Sequence, residues 1–300
     1  MGAQLPEAEP HVATSALTLA PAAGEPIERR RGWLRSLDVV VPGAVLAFLL
    51  FLFFIWPLIG PVGRPTGGNI LNANIEPWSS GHILGTDPVG NDIWSRILYG
   101  GRSSIEIALT VQLIGLVLGG SVGAFAGYWG GALDLVLMRV LDVLIAFPAL
   151  VIALAIAQSL GPSEFHTILA LSFFSVPAFA RISRAATLRL RERTFILASR
   201  LSGTSSPRVL LRHVAPNILP QLVTFGLLGM GVIIILEGAL SFFGLGIPPP
   251  DPSWGNMIFD GQGILSAEPR LVLVPSVFLF VTVLSFNLLG DALRSRWSAL

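Results

Sequence analysis

Six long apolar segments, separated by polar stretches, dominate the hydrophobicity pattern of the chain. They lie at about residues 39–60, 105–127, 135–159, 166–186, 217–244 and 271–290. With a rise of about 1.5 Å per residue, an apolar helix of this length covers a hydrocarbon core of roughly 30 Å. The pattern therefore predicts an all-α polytopic membrane protein with six transmembrane helices and both chain ends on the same side.

The polar stretches divide the chain further. Residues 1–28 are rich in Ala, Pro and Glu and have no apolar period, which predicts a disordered tail. They lack the basic start and apolar run of a signal peptide. Residues 29–300 then form one transmembrane domain, in which a turn-rich outer loop at 61–104 separates the first span from a five-span core at about 105–290.

Composition agrees with a membrane protein and excludes several kinds of chemistry. Only 12% of the residues are charged, against about 25% in soluble domains. All 19 cationic residues are Arg, which excludes a P-loop lysine and a Schiff-base lysine. Because there is no Cys and the four His residues lie far apart, we expect no metal site. The net charge of +1 does not indicate nucleic-acid binding.

The placement of arginine predicts which side of the membrane each loop faces. With six spans, fifteen Arg residues fall on the side that carries both termini, and only Arg64, Arg96, Arg102 and Arg270 fall on the other. Cytoplasmic loops carry an excess of positive charge. Both termini are therefore predicted to be cytoplasmic.

The second span carries a row of glycines, spaced by four, at Gly115, Gly119, Gly123 and Gly127. At helical period these positions lie on one face, and their small size allows another helix to approach closely. Tight packing within the bundle is one interpretation. A wall of a transport pathway is the other.

The same span contains the letters G-x-S-x-G at residues 119–123. In hydrolases this pattern places a nucleophilic serine on a strand–turn–helix element next to a histidine. Here Ser121 lies deep in an apolar helix, so an intramembrane serine protease using His166 remains only an alternative hypothesis.

Charged residues inside spans are candidates for function. Arg139 and Asp142 are three residues apart, a spacing at which they can pair on one helix face. Glu237 lies in the apolar run IIILEGALSFF. It is either a functional carboxylate, as in a proton-coupled secondary transporter, or a structural group that hydrogen-bonds a neighbouring helix or loop.

The most distinctive polar stretch is Arg-rich and lies between the fourth and fifth predicted spans. Eight Arg residues, including Arg208, occur between residues 181 and 212; control of topology and attraction to anionic lipid explain the charge but not the pattern. Gly203, followed by Ser and Pro, predicts that one short helix ends and another begins. Phe195, Ala198 and Leu201 form an apolar patch suited to docking into a groove of a soluble partner. Pro216 and Pro220 are predicted to break the chain where it re-enters the bilayer.

This stretch resembles the cytoplasmic coupling motif of binding-protein-dependent ABC importer permeases. That motif reads E-A-A-x-x-x-G and ends in a spaced apolar-x-L-P. Ala198, Gly203, Arg212, His213, Pro216, Asn217 and Pro220 match it. Leu197 replaces the Glu of the family, and Ser199 replaces the second Ala. The resemblance implies that the loop at about 187–216 contacts an ATPase.

Other segments are similar to the peptide and nickel branch of this family. They are LGTDPVGNDIWSRILYGGRSS, with Asn91 in place of the usual Arg, AGYWGG, LMRVLDVLIAFP, LSFFGLGIPPPDPSWG and NLLGDALR. The similarity spans about residues 29–296, nearly the whole chain. The pattern suits the shorter of the two permease subunits in that branch.

The resemblance implies a complete transport system. It consists of a heterodimer with a second permease, two cytoplasmic ATPase subunits and an extracytoplasmic solute-binding protein, in a bacterial-type inner membrane. The solute would be a dipeptide, a longer peptide, a nickel chelate or a glutathione-like ligand. This chain would bind no cofactor, catalyse no reaction and use ATP only through its partners.

Overall fold

The computed structural model describes residues 31–79 and 81–297, and the predicted tail at 1–28 lies outside this part. The long elements of the described chain are α-helices. They are α1 (Arg31–Leu50), α2 (Trp56–Ile59), α3 (Ile93–Ile114), α4 (Gly120–Trp129), α5 (Gly131–Ile145), α6 (Ala149–Leu160), α7 (Glu164–Arg191), α8 (Thr194–Leu201), α9 (Ser206–Val209), α10 (Ala215–Phe242), α11 (Trp254–Gln262) and α12 (Arg270–Trp297). Short π-helical segments join α1 to α2, α3 to α4 and α9 to α10 without a break.

Within the described residues, five continuous helical stretches are long and apolar enough to cross a membrane. They are Leu37–Ile59, Ile93–Trp129, Glu164–Arg191, Ser206–Phe242 and Arg270–Arg296. The pair α5 and α6 makes six when it is counted as one bent span. The predicted all-α membrane fold is confirmed.

The second span begins much earlier than predicted, because residues 93–104 of the predicted outer loop are helical. Asp92 caps the helix: its side chain accepts a hydrogen bond from Ser95 N at 2.8 Å. The polar residues that suggested a loop find partners locally, as Arg102 does with Glu106 at 2.9 Å. The 37-residue helical stretch is about 55 Å long at 1.5 Å per residue, so it extends well beyond the hydrocarbon core.

The third predicted span is not straight. α5 and α6 meet at 81°, and the three residues between them end in Pro148. Proline has no amide hydrogen and disfavours helical geometry at the residue before it, which explains the end of α5. α5 also crosses α7 obliquely, because Asp134 and Asp142, which are eight residues apart on α5, pair with Arg184 and Arg181, which are only three apart on α7.

The prediction that Pro216 and Pro220 break the chain was wrong, since one helical stretch runs from Ser206 to Phe242. Pro216 lies in the first turn of α10, directly after the π-helical segment, and Pro220 lies inside the helix. Next to Pro216, Asn217 Nδ2 donates to His213 O at 2.6 Å. Side-chain hydrogen bonds to the backbone are one way in which membrane helices tolerate proline.

The remaining part of the predicted outer loop, residues 61–79 and 81–92, is folded against the helix ends. Arg270 at the start of α12 donates to the carbonyls of Ile75 and Leu84 at 3.0 and 3.2 Å. Asn91 accepts from Gly68 N and donates to Asp87, both at 2.9 Å. The side-chain amide of Asn91 thus connects two separate parts of the loop.

Two apolar clusters mark opposite ends of the bundle. One contains the fully buried Trp254 of α11, whose ring packs edge-on against Phe53 at 5.4 Å between centroids. The other contains Tyr128, Phe179 and Ile196 of α8. We refer to the α11 end and the α8 end of the bundle. α1 leads towards the α11 end and α12 returns from it, as contacts of Gly43 with Leu289 and of Phe53 with Phe278 require.

Candidate functional site

The Arg-rich stretch forms a small helical element at the α8 end. α7 ends at Arg191 and α8 follows after two residues. Gly203 has φ of +80°, a left-handed conformation that glycine adopts without steric cost, and α9 begins at Ser206 with Pro207 in its first turn. The structure therefore contains the helix–glycine turn–helix that the sequence predicts.

α8 buries one large side chain and exposes the others. Ile196 is fully buried, whereas Phe195, Leu197 and Leu201 are 47%, 45% and 90% exposed. Ala198 is exposed as well, and Ser199 is half-buried. We call Phe195, Leu197, Ala198 and Leu201 the α8 face. An exposed apolar surface of this kind is typical of a protein interaction site.

A basic groove lies on the following segment. Its volume is about 600 Å³, and it is lined by Ser205, Pro207, Arg208, Leu211, Arg212 and Pro216. Arg208 and Arg212 are both exposed, so they are accessible to a partner. His213 and Asn217, the other polar residues of the motif, are linked through the backbone of His213.

Sequence reasoning missed a polar contact that helps to hold α8 in place. Arg200 Nε donates to the hydroxyl of Tyr128 at 3.1 Å, and its guanidinium carbon lies 4.4 Å from the centre of the Tyr128 ring. Tyr128 belongs to AGYWGG, one of the segments in which the sequence resembles the permease family. Nothing in the spacing of two residues 72 positions apart could indicate that they meet.

The glycine row of the second span packs against α7. A Cβ atom at Gly119 or Gly123 would lie 2.2 or 2.1 Å from a backbone carbonyl oxygen of α7, those of Val176 and Ala180. Gly127 also faces a backbone carbonyl of α7, that of Arg184 at 2.8 Å, whereas Gly115 faces the side chains of Ser175 and Phe179. Because backbone atoms fill the space beside this face, the structure favours the packing interpretation over a pathway wall.

Ser121 and His166 do not form a catalytic pair. α4 and α7 run parallel, with Gly123 level with Ala180, so Ser121 lies level with the part of α7 near residue 178. His166 is twelve residues earlier on α7, about 18 Å along the axis at 1.5 Å per residue. Its Nδ1 is 2.9 Å from the carbonyl oxygen of Gly161.

Glu237 is buried, with 1% exposure, and its carboxylate joins two helices. Ser104 of α3 donates to Oε2 at 2.8 Å, and Ser241 of α10 donates to Oε1 at 2.7 Å. Both carboxyl oxygens therefore have a hydrogen-bond partner, as buried polar groups require. The geometry favours a structural role.

The predicted pair of Arg139 with Asp142 was wrong. Asp142 accepts from Arg181 of α7 at 2.6 Å, and Arg184 of α7 donates to both carboxylate oxygens of Asp134. The oblique crossing of α5 over α7 brings these guanidinium groups to its acidic residues. Arg139 is exposed and lines the same open cleft of about 590 Å³.

A helical bundle with several membrane-length spans, and with a short exposed helix between two of them, places the chain in the class of polytopic α-helical membrane proteins. Residues 119–298 match the family described as binding-protein-dependent transport system inner membrane component. The chain belongs to this family.

Two curated relatives extend the match over most of the chain. The glutathione transport system permease protein GsiD of Pectobacterium atrosepticum is 37% identical over 88% of this chain and 87% of its own length. The dipeptide transport system permease protein DppC of Alkalihalophilus pseudofirmus is 37% identical over 72% of this chain and 71% of its own length.

The fold has a counterpart among solved structures. An inward-facing MetNI methionine ABC transporter aligns with a TM-score of 0.56 at 16% identity, over 66% of this chain and 95% of the matched chain. At this identity the similarity concerns the fold alone.

Proposed function

We propose that this chain is one of two membrane-spanning subunits of an ATP-driven importer for peptides or a related small solute such as glutathione. Two ATPase subunits would supply the energy, and an extracytoplasmic binding protein would deliver the solute. The observation that carries this proposal is the 37% identity to glutathione and dipeptide permeases over most of the chain. The chain itself would bind neither ATP nor another cofactor.

The α8 face is our proposed docking surface for an ATPase subunit. Leu201 is 90% exposed, and it lies at the bundle end where most of the Arg residues cluster. The excess of Arg supports a cytoplasmic position for this end and for both termini. The α11 end, with its folded loop at 61–92, would then face the binding protein.

When the two ATPases close, they would push on α8. The spans are packed against each other along their length, so the push would move several helices together. Two residues connect α7 to α8, and the glycine row holds α4 close to α7. The spans would therefore tilt together and expose the pathway to alternate sides. This is a rigid-body form of alternating access.

The test is to purify the complex in mild detergent with the variant Leu201→Glu. Loss of the burial of one Leu side chain, about 1.5–3 kcal/mol, predicts a loss of ATPase affinity of about tenfold or more. Leu71→Glu is the matched control, because Leu71 is 87% exposed but lies in the outer loop. It should retain the ATPase and its ATP hydrolysis.

Two results would contradict the proposal. One is equal retention of the ATPase by the Leu201→Glu and Leu71→Glu variants. The other is uptake in vesicles that survives ATP depletion and collapses with the proton gradient, which would support a proton-coupled secondary transporter instead.

A further inference from the structure

α8 is connected to the bundle along the chain by two short joints. It has eight residues. Glu192 and Arg193 connect it to α7, and a four-residue turn containing Gly203 connects it to α9. Its side chains form the remaining connections: Ile196 is fully buried, and Arg200 contacts Tyr128. A force applied to α8 would therefore reach the spans through the joints and through these side-chain contacts.

The contact of Arg200 with Tyr128 provides such a connection. It combines a hydrogen bond of 3.1 Å with a cation–π contact of 4.4 Å, and both act on a Tyr side chain that is only 6% exposed. Arg guanidinium groups stack on aromatic faces while donating hydrogen bonds at fixed angles. The contact thus resists both separation and rotation of α8.

A second arginine, Arg191, contacts the same end of α4. Arg191, the last residue of α7, donates to the carbonyl of Gly127 at 3.1 Å, one residue before Tyr128. The two guanidinium groups lie on either side of the joint between α7 and α8. Both hold the C-terminal end of α4, where the helix stops at Gly130 with φ of +67°.

α4 is in turn packed closely on α7. A Cβ atom at Gly123 would overlap the Ala180 carbonyl at 2.1 Å, and one at Gly127 would lie 2.8 Å from that of Arg184. These are backbone contacts, so the two helices cannot slide or approach without disturbing each other. A displacement that reaches Tyr128 is therefore shared by α4 and α7.

We propose that Arg200 and Tyr128 form a coupling clasp, a positioning pair that transmits movement of α8 to the packed helices α4 and α7. This inference rests on the proposed function, because it requires an ATPase that moves α8. The clasp would not be needed for docking, since neither residue belongs to the α8 face. Its loss should uncouple ATP turnover from movement of the spans.

The experiment uses the purified complex of the full chain with its ATPase, reconstituted in lipid. Since the chain has no Cys, Ser121→Cys on the exposed side of α4 provides a single attachment site for an environment-sensitive fluorophore. The fluorescence change on addition of ATP and vanadate measures movement of α4. ATP hydrolysis by the same sample measures docking, and neither reading requires the natural solute.

The expected result is a selective loss of the fluorescence change. In the Arg200→Gln variant it should fall by about two- to fivefold, the effect of losing one cation–π contact at an accessible site. Arg200→Lys and Tyr128→Phe each keep part of the contact and should lie between this variant and the parent. Arg193→Gln removes the same charge beside α8 and should change nothing.

Each alternative result has a defined meaning. A parent chain without an associated ATPase overturns the proposed function and the clasp with it. Two results overturn the clasp alone. One is a parent complex that hydrolyses ATP without any fluorescence change. The other is an Arg200→Gln variant whose fluorescence change equals that of the parent. Equal loss of hydrolysis and fluorescence in Arg200→Gln, with no effect in Tyr128→Phe, would mean that Arg200 only supports assembly and would also overturn it.

Discussion

At the residue scale, Glu237 shows how a carboxylate can be accommodated inside a membrane bundle. It lies between Ser104 and Ser241, and each hydroxyl donates to a different oxygen. Removing one member of a buried hydrogen-bonded set leaves the others without partners, which costs more than the bond itself contributes. The residue therefore stabilises the contact of α10 with α3.

This role leads to a prediction for Glu237→Ala. The unpaired Ser104 hydroxyl and the small cavity should lower the free energy of unfolding by about 1–3 kcal/mol, measured as thermal unfolding in detergent. Glu192→Gln alters an exposed carboxylate and should have no effect. A Glu237→Gln variant that is fully stable yet has lost uptake would instead indicate a proton-coupling role.

At the scale of elements, the packing interface between α4 and α7, which we call the seam, requires glycine at some positions and not at others. A Cβ atom added at Gly123 would lie 2.1 Å from the carbonyl oxygen of Ala180. A Cβ atom added at Gly120 would meet only the side chain of Leu222, at 3.4 Å. The same substitution, glycine to alanine, should therefore have opposite effects at positions three residues apart.

Gly123→Ala should force the two helices apart and cost about 1–3 kcal/mol, as overpacking does. Gly120→Ala should be neutral or stabilise the helix by up to about 1 kcal/mol, because alanine has the higher helix propensity. Thermal unfolding of both variants measures the difference. Equal stability of the two would mean that the seam is looser than these distances indicate.

At the scale of the whole molecule, the proposed orientation places the α8 end in the cytoplasm. The absence of Cys allows single-cysteine variants to test this with a membrane-impermeant maleimide. Leu71→Cys, in the outer loop, should react in intact cells. Ser202→Cys, exposed beside α8, should react only in inside-out vesicles, and the reverse pattern would invert the topology.

Much of the architecture could be predicted from the sequence, because its causes are local. An apolar run long enough to cross the bilayer must form a helix there, since unpaired backbone groups are too costly in lipid. Likewise, Gly203 followed by Ser and Pro is a local pattern that predicts the end of one helix and the start of the next. The spans and the helix–glycine turn–helix followed from such signals, although the start of α3 at Ile93 did not.

Only the tertiary structure decided which distant groups meet. Asp142 pairs with Arg181 of α7 rather than with Arg139 of its own helix, because α5 packs across α7. The glycine row required a partner helix before packing could be distinguished from a pathway. Arg200 reaches Tyr128 across 72 residues. Helix formation depends on neighbours along the chain, whereas these contacts depend on how separate helices cross, and no local pattern encodes that.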